Sequence, residues 1–449
     1  MEDIMRFKKC FILLATLVLV MLLAAGCSGE KEAKEGGREE NEPVTEESGT
    51  RDSKTDGDEE GGPSGRETGD TNNPDGEAGD GTGRPAPVEN HYWPEPGTMR
   101  DMTSYEVVLD MGLGWNLGNT FDACGDWISG GVSAHETAWG SPITARYMFE
   151  KLKEMGFRSV RIPVAWSNMM QENYTISVLW MDRVEEVVNY ALDSGLYVVL
   201  NIHWDGGWIL NFSTEYDETM KKYTRIWEQI CERFRNYPDY LIFESMNEEG
   251  HFDDIWNRYA WNYKEEDKIR AYDILNSVNQ KFVDIVRGSG GNNEFRHLLI
   301  AGYATDIDLT IDPAFKMPED PAGRLMISVH YYTPSTFTIL EEDADWGKSE
   351  YTWGTDEDDY QRIRDDFEKM KVHFMDKGYP VIIGEYGATK TNKDPDSVRN
   401  YITAVARTAY EMGMCPMLWD ANGHYNRLLG TFRDEQLLKN LQEIMAMER

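Results

Sequence analysis

The sequence predicts a (β/α)8 barrel, and three observations point to it. From residue 105 onward, short apolar runs alternate with stretches of helical periodicity, the pattern of a parallel sheet wrapped by helices. Eight such runs fall within roughly 350 residues, a length that suits one large barrel. Neither GxGxxG nor GxxxxGKS/T follows the first run, so the phosphate-binding opening of a doubly wound sheet is missing.

The expected strands are 107–116, 159–164, 197–203, 241–248, 297–303, 325–332, 381–386 and 415–420. Between them lie helical stretches at 145–155, 180–194, 219–235, 266–288, 358–377 and 397–412, with 436–447 closing the chain. Glycine follows several of these stretches, where a left-handed cap ends a helix. The segment after the fifth strand, 308–321, is rich in proline and gives no clear helix. Gly288-Ser289-Gly290-Gly291 follows a helix and so reads as a terminator.

The stretch 241–248 carries most of the chemistry. It opens apolar and closes on Asn247-Glu248. A carboxylic acid at the mouth of a buried strand must be satisfied by partners or put to work. Glu244 and Glu248 share a strand face but stand roughly 13 Å apart, too far to act on one bond. The partner must come from elsewhere, and 381–387 offers it: another apolar run that delivers Glu385. Barrel active sites sit at the carboxyl ends of the strands. Those ends carry Asn116, Asn119, Arg161, His203, Asn247, Glu248, His330, Tyr332, Glu385, Trp419 and Asp420. Singly, Arg161 reads as an ion-pair partner, His203 and His330 as core histidines, and Trp419 as packing. At corresponding ends of successive strands they read as one site.

Tryptophan placement is a separate signal. Trp127, Trp139, Trp166, Trp204, Trp208, Trp256, Trp261, Trp346 and Trp353 follow strand ends, whereas only Trp180 and Trp227 fall clearly on helices. Loop tryptophans expose apolar area unless they pack or bind. Their flat faces suit pyranose rings; about half are expected to be packing residues.

Residues 1–26 read as an export signal. Met5 to Lys9 is basic, 11–25 is apolar, and Ala24-Ala25-Gly26-Cys27 offers a cleavage site. The apolar run is shorter than the ~20 residues of a spanning helix. Cys27 after Ala-Gly resembles the lipobox of bacterial lipoproteins, with Ala24 where that box most often has Leu; Met5 is an alternative start. That resemblance implies a lipidated Cys27, a surface location and membrane contact through the anchor alone. Residues 27–95 are Gly, Glu, Asp, Ser, Thr and Pro with few large apolar side chains, expected to form an extended acidic tether. The catalytic domain is expected at 96–449. The net charge of −35 disfavours nucleic acid and anionic lipid as partners. Cys124, Cys231 and Cys415 suggest neither a disulfide framework nor a metal spacing.

The motifs, taken together, resemble glycoside hydrolase family 5, the cellulase family of retaining barrel glycosidases. They are Gly114-Trp115-Asn116-Leu117-Gly118-Asn119-Thr120, Val160-Arg161-Ile162-Pro163-Val164 and Asn201-Ile202-His203. Asn247-Glu248, His330-Tyr331-Tyr332, Ile383-Gly384-Glu385-Tyr386-Gly387 and Trp419-Asp420 complete the set. The likeness runs from about Asp110 to the end, and its detail is closest to subfamily 4, which holds endo-β-1,4-glucanases, mixed-linkage glucanases and xyloglucanases. Two residues depart from the family pattern: Glu249 stands where many members have Pro, and Trp204 where a second His is frequent.

The resemblance implies a retaining double displacement by two carboxyls ~5–5.5 Å apart. Glu385 would be the nucleophile, its pKa lowered by Arg161 and its charge bonded by Tyr332. Glu248 would be the acid/base, its pKa raised by the charge on Glu385. Asn247 would bind the sugar 2-hydroxyl, and His203, His330 and Trp419 would line the sugar subsite, with Asn119 also binding substrate. No metal or cofactor is expected, the partner is a β-glucan polysaccharide, and the expected state is a monomer. Two other readings stand beside this one: the same barrel cutting β-mannan, and a surface glycan-binding lipoprotein without turnover.

Overall fold

The period-two alternation of the strands decides what the barrel encloses. In the computed structural model, which describes residues 96–448, eight parallel strands close in chain order. They are β1 (Gly114–Asn116), β2 (Ser159–Ile162), β3 (Tyr197–Asn201), β4 (Leu241–Glu244), β5 (Leu298–Ala301), β6 (Leu325–Tyr331), β7 (Val381–Tyr386) and β8 (Cys415–Leu418). β8 pairs back to β1 through Gly114 and Trp115. The export signal, Cys27 and the acidic tether lie outside the described residues.

On β4, Leu241 and Phe243 face the surrounding helices, where Phe243 meets Trp227 of helix Tyr216–Arg233. Ile242 and Glu244 face the interior. The same alternation on every strand stacks the interior in layers. At the amino end, Val199, Ile242, Leu299, Met326, Ile382, Cys415 and Met417 form an apolar cluster. One step toward the carboxyl end, Asn116, Arg161, Asn201, Glu244 and Ser328 form a polar layer, all of them fully buried. The site stands on that layer.

The expected first strand needs correction. Residues 107–111 belong to helix Ser104–Met111, and β1 is only Gly114–Asn116. Val107, Val108 and Met111 lie on one helical face and plug the apolar end of the barrel. The helix starts at a capping box, in which Thr103 Oγ1 accepts from the Glu106 N–H and Glu106 accepts from the Thr103 N–H. That Thr-x-x-Glu signal distinguishes the helix from the strand that a short apolar run suggests.

Most other strands end earlier than expected. β4 stops at Glu244, so Glu248 lies in the loop that follows rather than on a strand face. Ser245 keeps one backbone bond, its N–H to the Leu299 carbonyl, and is otherwise held by side chains: Tyr223 Oη donates to its carbonyl and its Oγ to Asn279 Oδ1. The helices Arg146–Glu154, Val178–Asp193, Glu265–Gly288, Glu357–His373, Pro395–Glu411 and Glu435–Met445 fall close to their expected positions. After β5 the wall carries a 3-10 turn at Tyr303–Thr305 and the short helix Ile307–Thr310, capped by Asp306.

Candidate active site

Arg161 organises the floor of the site. It is fully buried on β2, and its guanidinium donates four hydrogen bonds to residues from three other strands or their ends. Nε donates to Glu244 Oε2 at 2.6 Å, and Nη1 to Glu385 Oε1 at 2.7 Å and Asn116 Oδ1 at 3.1 Å. Nη2 donates to Asn247 Oδ1 at 2.9 Å, which turns the Asn247 NH2 away from the guanidinium. Burial alone would weaken its charge, but Glu244 and Glu385 together hold its pKa above the ordinary value.

Glu244 is satisfied rather than put to work. Besides Arg161, it accepts from Asn201 Nδ2 at 3.0 Å and Ser328 Oγ at 2.8 Å. Asn201 and Ser328, neither singled out from the sequence, are therefore structural partners of the site. Asn201 lies within the segment ending in His203, whereas nothing about Ser328 in the sequence marks it.

Glu385 is brought inward by an irregularity in the sheet. The β6–β7 register shifts after Val329, so that His330 pairs with Glu385, and β7 shifts against β8 between Ile383 and Tyr386. Gly384 permits this approach, because a Cβ there would lie 2.8 Å from Ser328 Oγ and 3.0 Å from His330 Nε2. Glu385 is 5% exposed; besides the Arg161 bond it accepts from Tyr332 Oη at 3.0 Å. Burial nevertheless raises its pKa, against the pull of Arg161. The expected net lowering by Arg161 is thus reversed, because desolvation outweighs the ion pair.

Glu248 is the opposite case, with 44% of its side chain exposed. Its Oε1 lies 2.7 Å from His330 Nδ1, which also stands 3.7 Å from Glu385 Oε2. One carboxylate oxygen each of Glu248 and Glu385 and a ring nitrogen of His330 lie within 4.8 Å of one another. Desolvation raises the Glu248 pKa, rather than the charge on Glu385. His330 is itself held neutral, burial lowering its pKa to about 4.

His203 and Trp419 stack almost parallel, with ring centroids 5.7 Å apart and planes 7° from coplanar. Trp419 in turn lies against Gly118, where a Cβ would come within 2.8 Å of the indole. Beside it Asn119 adopts φ 57°, and its buried Oδ1 has no partner among the described residues. Arg427 fixes this corner, donating to Thr120 Oγ1, Ser141 Oγ and the Gly118 and Asp420 carbonyls. Asp420 accepts from Trp115 Nε1 and from the backbone of Gly423, His424 and Tyr425, so it is a structural post.

The sequence-predicted residues Arg161, Asn247, Glu248, His330, Tyr332 and Glu385 thus form one connected group, with His203, Trp419 and Asn119 beside it. The tryptophans divide. Trp166, Trp256 and Trp353 are core, whereas Trp127, Trp204, Trp261 and Trp346 remain exposed.

An eight-stranded parallel barrel with paired carboxyls and stacked aromatic rings at its carboxyl end defines a glycosyl hydrolase. The glycosyl hydrolase family 5 cellulase model matches residues 121–425. The chain belongs to that family, and it is an endoglucanase-type hydrolase of β-glucans. It is 36% identical over 349 residues to the xyloglucan-specific endo-β-1,4-glucanase of Bacteroides ovatus, covering 74% of this chain and 68% of that one. A broad-specificity endoglucanase of subfamily 4 from an uncultured bovine rumen ciliate superposes with a TM-score of 0.69 at 36% identity, over 77% and 98% of the two chains. A family 5 lichenase mutant from Caldicellulosiruptor sp. F32, in complex with cellotetraose, gives a TM-score of 0.70 at 33% identity, over 78% and 98%.

Proposed function

We propose that the chain cleaves internal β-1,4-glucosyl bonds with retention of configuration, using Glu385 as nucleophile and Glu248 as acid/base. The observation that carries this reading is the contrast between two carboxyls whose oxygens lie within 4.8 Å. One is sealed between a guanidinium and a phenol, and the other opens to water. A nucleophile must keep its charge and position, and the Arg161 and Tyr332 bonds both favour the ionised, oriented form. An acid/base must trade protons with the leaving group and with incoming water, which an open side chain allows.

In the first step Glu385 attacks the anomeric carbon while protonated Glu248 gives its proton to the departing oxygen. In the second, Glu248 takes a proton from water, which attacks the same carbon and releases Glu385. His330 bonds Glu248 and so orients it, and its ring stands 3.7 Å from Glu385. Asn247, its amide fixed by Arg161, offers N–H donors to the sugar 2-hydroxyl. Trp419 and Asn119 line the sugar on the nucleophile's side, since β8 and β1 continue the barrel wall from β7, and His203, after β3, joins them by stacking on Trp419. Likeness to a xyloglucan-specific enzyme, a broad-specificity subfamily 4 endoglucanase and a lichenase supports a subfamily 4 assignment and an undecorated or branched β-1,4-glucan substrate.

Azide tests the roles. Glu248→Ala is expected to release a burst of phenol from an aryl β-cellobioside and to yield β-glycosyl azide on rescue, and Glu385→Ala to yield the α-azide. The opposite pairing would reverse the assignment. Turnover of mannan equal to that of glucan would remove the substrate reading.

Cys27 is proposed as a lipid anchor, with residues 27–95 as the tether between membrane and catalytic domain. Cys27→Ser should shift the protein from the membrane to the soluble fraction; equal partitioning of both forms would overturn the anchor.

A further inference from the structure

Tyr332 stands one residue past the end of its strand, so its phenol needs another hold. β6 closes at Tyr331, which pairs with Tyr386 on β7. The Oη that bonds Glu385 Oε2 at 3.0 Å therefore hangs from a residue beyond the paired part of the sheet. The chain turns at once into the short helix Ser335–Thr338, and the last residue of that helix folds back on Tyr332. Thr338 is buried and donates its hydroxyl to the Tyr332 carbonyl at 2.5 Å. A helical threonine ordinarily bonds the carbonyl four residues back. Here that partner, Pro334, is the longer contact at 3.1 Å, and Tyr332, six residues back, is the nearer.

The same residue also reaches the segment that follows the nucleophile. The Thr338 carbonyl accepts from the N–H of Thr389, four residues after Glu385, at 2.8 Å. Three hydrogen bonds thus close a ring: Tyr332 Oη to Glu385, Thr389 N–H to Thr338, and Thr338 Oγ1 to Tyr332. The ring ties the loop after β6 to the loop after β7. A helix of a single turn is marginal by itself, and Lys393 braces this one from another side. Its buried ammonium donates to the Thr336 carbonyl at 3.3 Å, to Ser349 Oγ at 2.9 Å and to the Glu350 carbonyl at 2.5 Å.

A hydrogen bond weakens steeply once its distance or angle drifts, so the bond on Glu385 is only as good as the placement of the phenol. We propose that Thr338 is a positioning residue of the reaction, whose bridge between Tyr332 and Thr389 keeps the phenol O–H aimed at the Glu385 carboxylate. This deepens the reading above and rests on Glu385 being the nucleophile.

The test compares Thr338→Val, which keeps the shape and removes the hydroxyl, with Thr338→Ser, which keeps the hydroxyl. Rates on an aryl β-cellobioside are corrected for folded fraction. Thr338→Val should lower kcat by about three- to tenfold, the worth of one hydrogen bond, and leave KM nearly unchanged. Thr338→Ser should restore most of that loss. In the Tyr332→Phe background Thr338→Val should add nothing, because the bond it aims is already gone. An equal further loss on top of Tyr332→Phe, or unchanged kcat in Thr338→Val, would overturn the proposal.

The pH profile is a second readout. The phenol bond favours ionised Glu385, so weakening it raises the pKa of that carboxyl, and activity is lost below that pKa. The acid limb of kcat/KM should therefore move up by about 0.5 to 1 pH unit in Thr338→Val, as a three- to tenfold loss implies. Glu385 also faces Arg161 from β2, His330 from β6 and Glu248 from the loop after β4, and Thr338 bonds none of these. A fall in kcat with the acid limb in place would mean a general loosening and would overturn the positioning role. Failure of the parent reading looks different: azide rescue of Glu385→Ala would give the β-product and Tyr332→Phe itself would leave the acid limb in place, and the proposal would fall with it.

Discussion

Arg161 and Arg296 are both fully buried arginines against the barrel wall, yet their surroundings have nothing in common. Arg161 meets two carboxylates, and its pKa is pushed up. Arg296, just before β5, forms no ion pair among the described residues: it donates to Asn293 Oδ1 and to the carbonyls of Pro238, Leu241, Phe234 and Tyr237. Burial then pulls its pKa down to about 9. The histidines repeat the contrast. His330 bonds Glu248, whereas His297 bonds Ser104 of the amino-end plug helix and is held neutral, with a pKa of about 3. The same residue types assemble the reaction at one end of the barrel and tie down turns at the other, where loops do not converge on a substrate.

The largest expected effects break this comparison most directly. Arg161→Leu leaves Glu244 and Glu385 buried without their cation, a loss of about 3–5 kcal/mol, and should also remove most turnover of the molecules that remain folded. Arg296→Leu strands several carbonyls and should cost about 3 kcal/mol or more, yet leave kcat per folded molecule near wild type. Urea unfolding paired with kcat/KM corrected for folded fraction measures both. An equal fall in kcat for the two variants would end the distinction.

Tyr332→Phe sharpens the catalytic end. It removes one charge-assisted bond to Glu385 and nothing else, so it should lower kcat by roughly one to two orders of magnitude with melting little changed. Unaltered steady-state kinetics on an activated aryl glycoside would show that Arg161 alone holds the nucleophile.

The smallest effect lies at the other end. A histidine kept neutral by folding stabilises the protein above its unfolded pKa of ~6.5, and that contribution is lost as pH falls toward the folded value of about 3. His297→Gln should therefore flatten the decline in melting temperature between pH 6.5 and 4 while kcat at pH 6.5 stays put. A decline as steep as wild type would mean that His297 titrates normally.

Much of the site was legible because barrel chemistry is serial: most strands carry a polar residue at or just beyond their carboxyl ends, and reading those ends in order yields Arg161, Asn247, Glu248, His330, Tyr332 and Glu385. Glu244 shows where that reading stops. On the expected strand 241–248 it shares a face with Glu248; the ladder ending at Glu244 parts the two. Once it ends there, Glu244 points into the polar layer and Glu248 is free to turn toward solvent.

The sequence by itself determined the alternation of elements, the inward and outward faces, and the chemical types at the strand ends. All of these are local, set by periods of two and 3.6 residues and by caps within a single turn. Only the tertiary structure decided which buried groups share a proton or a charge. Arg161 reaches Glu385 across 224 residues, and Trp115 reaches Asp420 across 305. Whether desolvation or an ion pair wins at Glu385 depends on the sum of those contacts in a closed barrel. No local pattern encodes it, because electrostatic energy depends on distance and burial, which are fixed only when β8 meets β1.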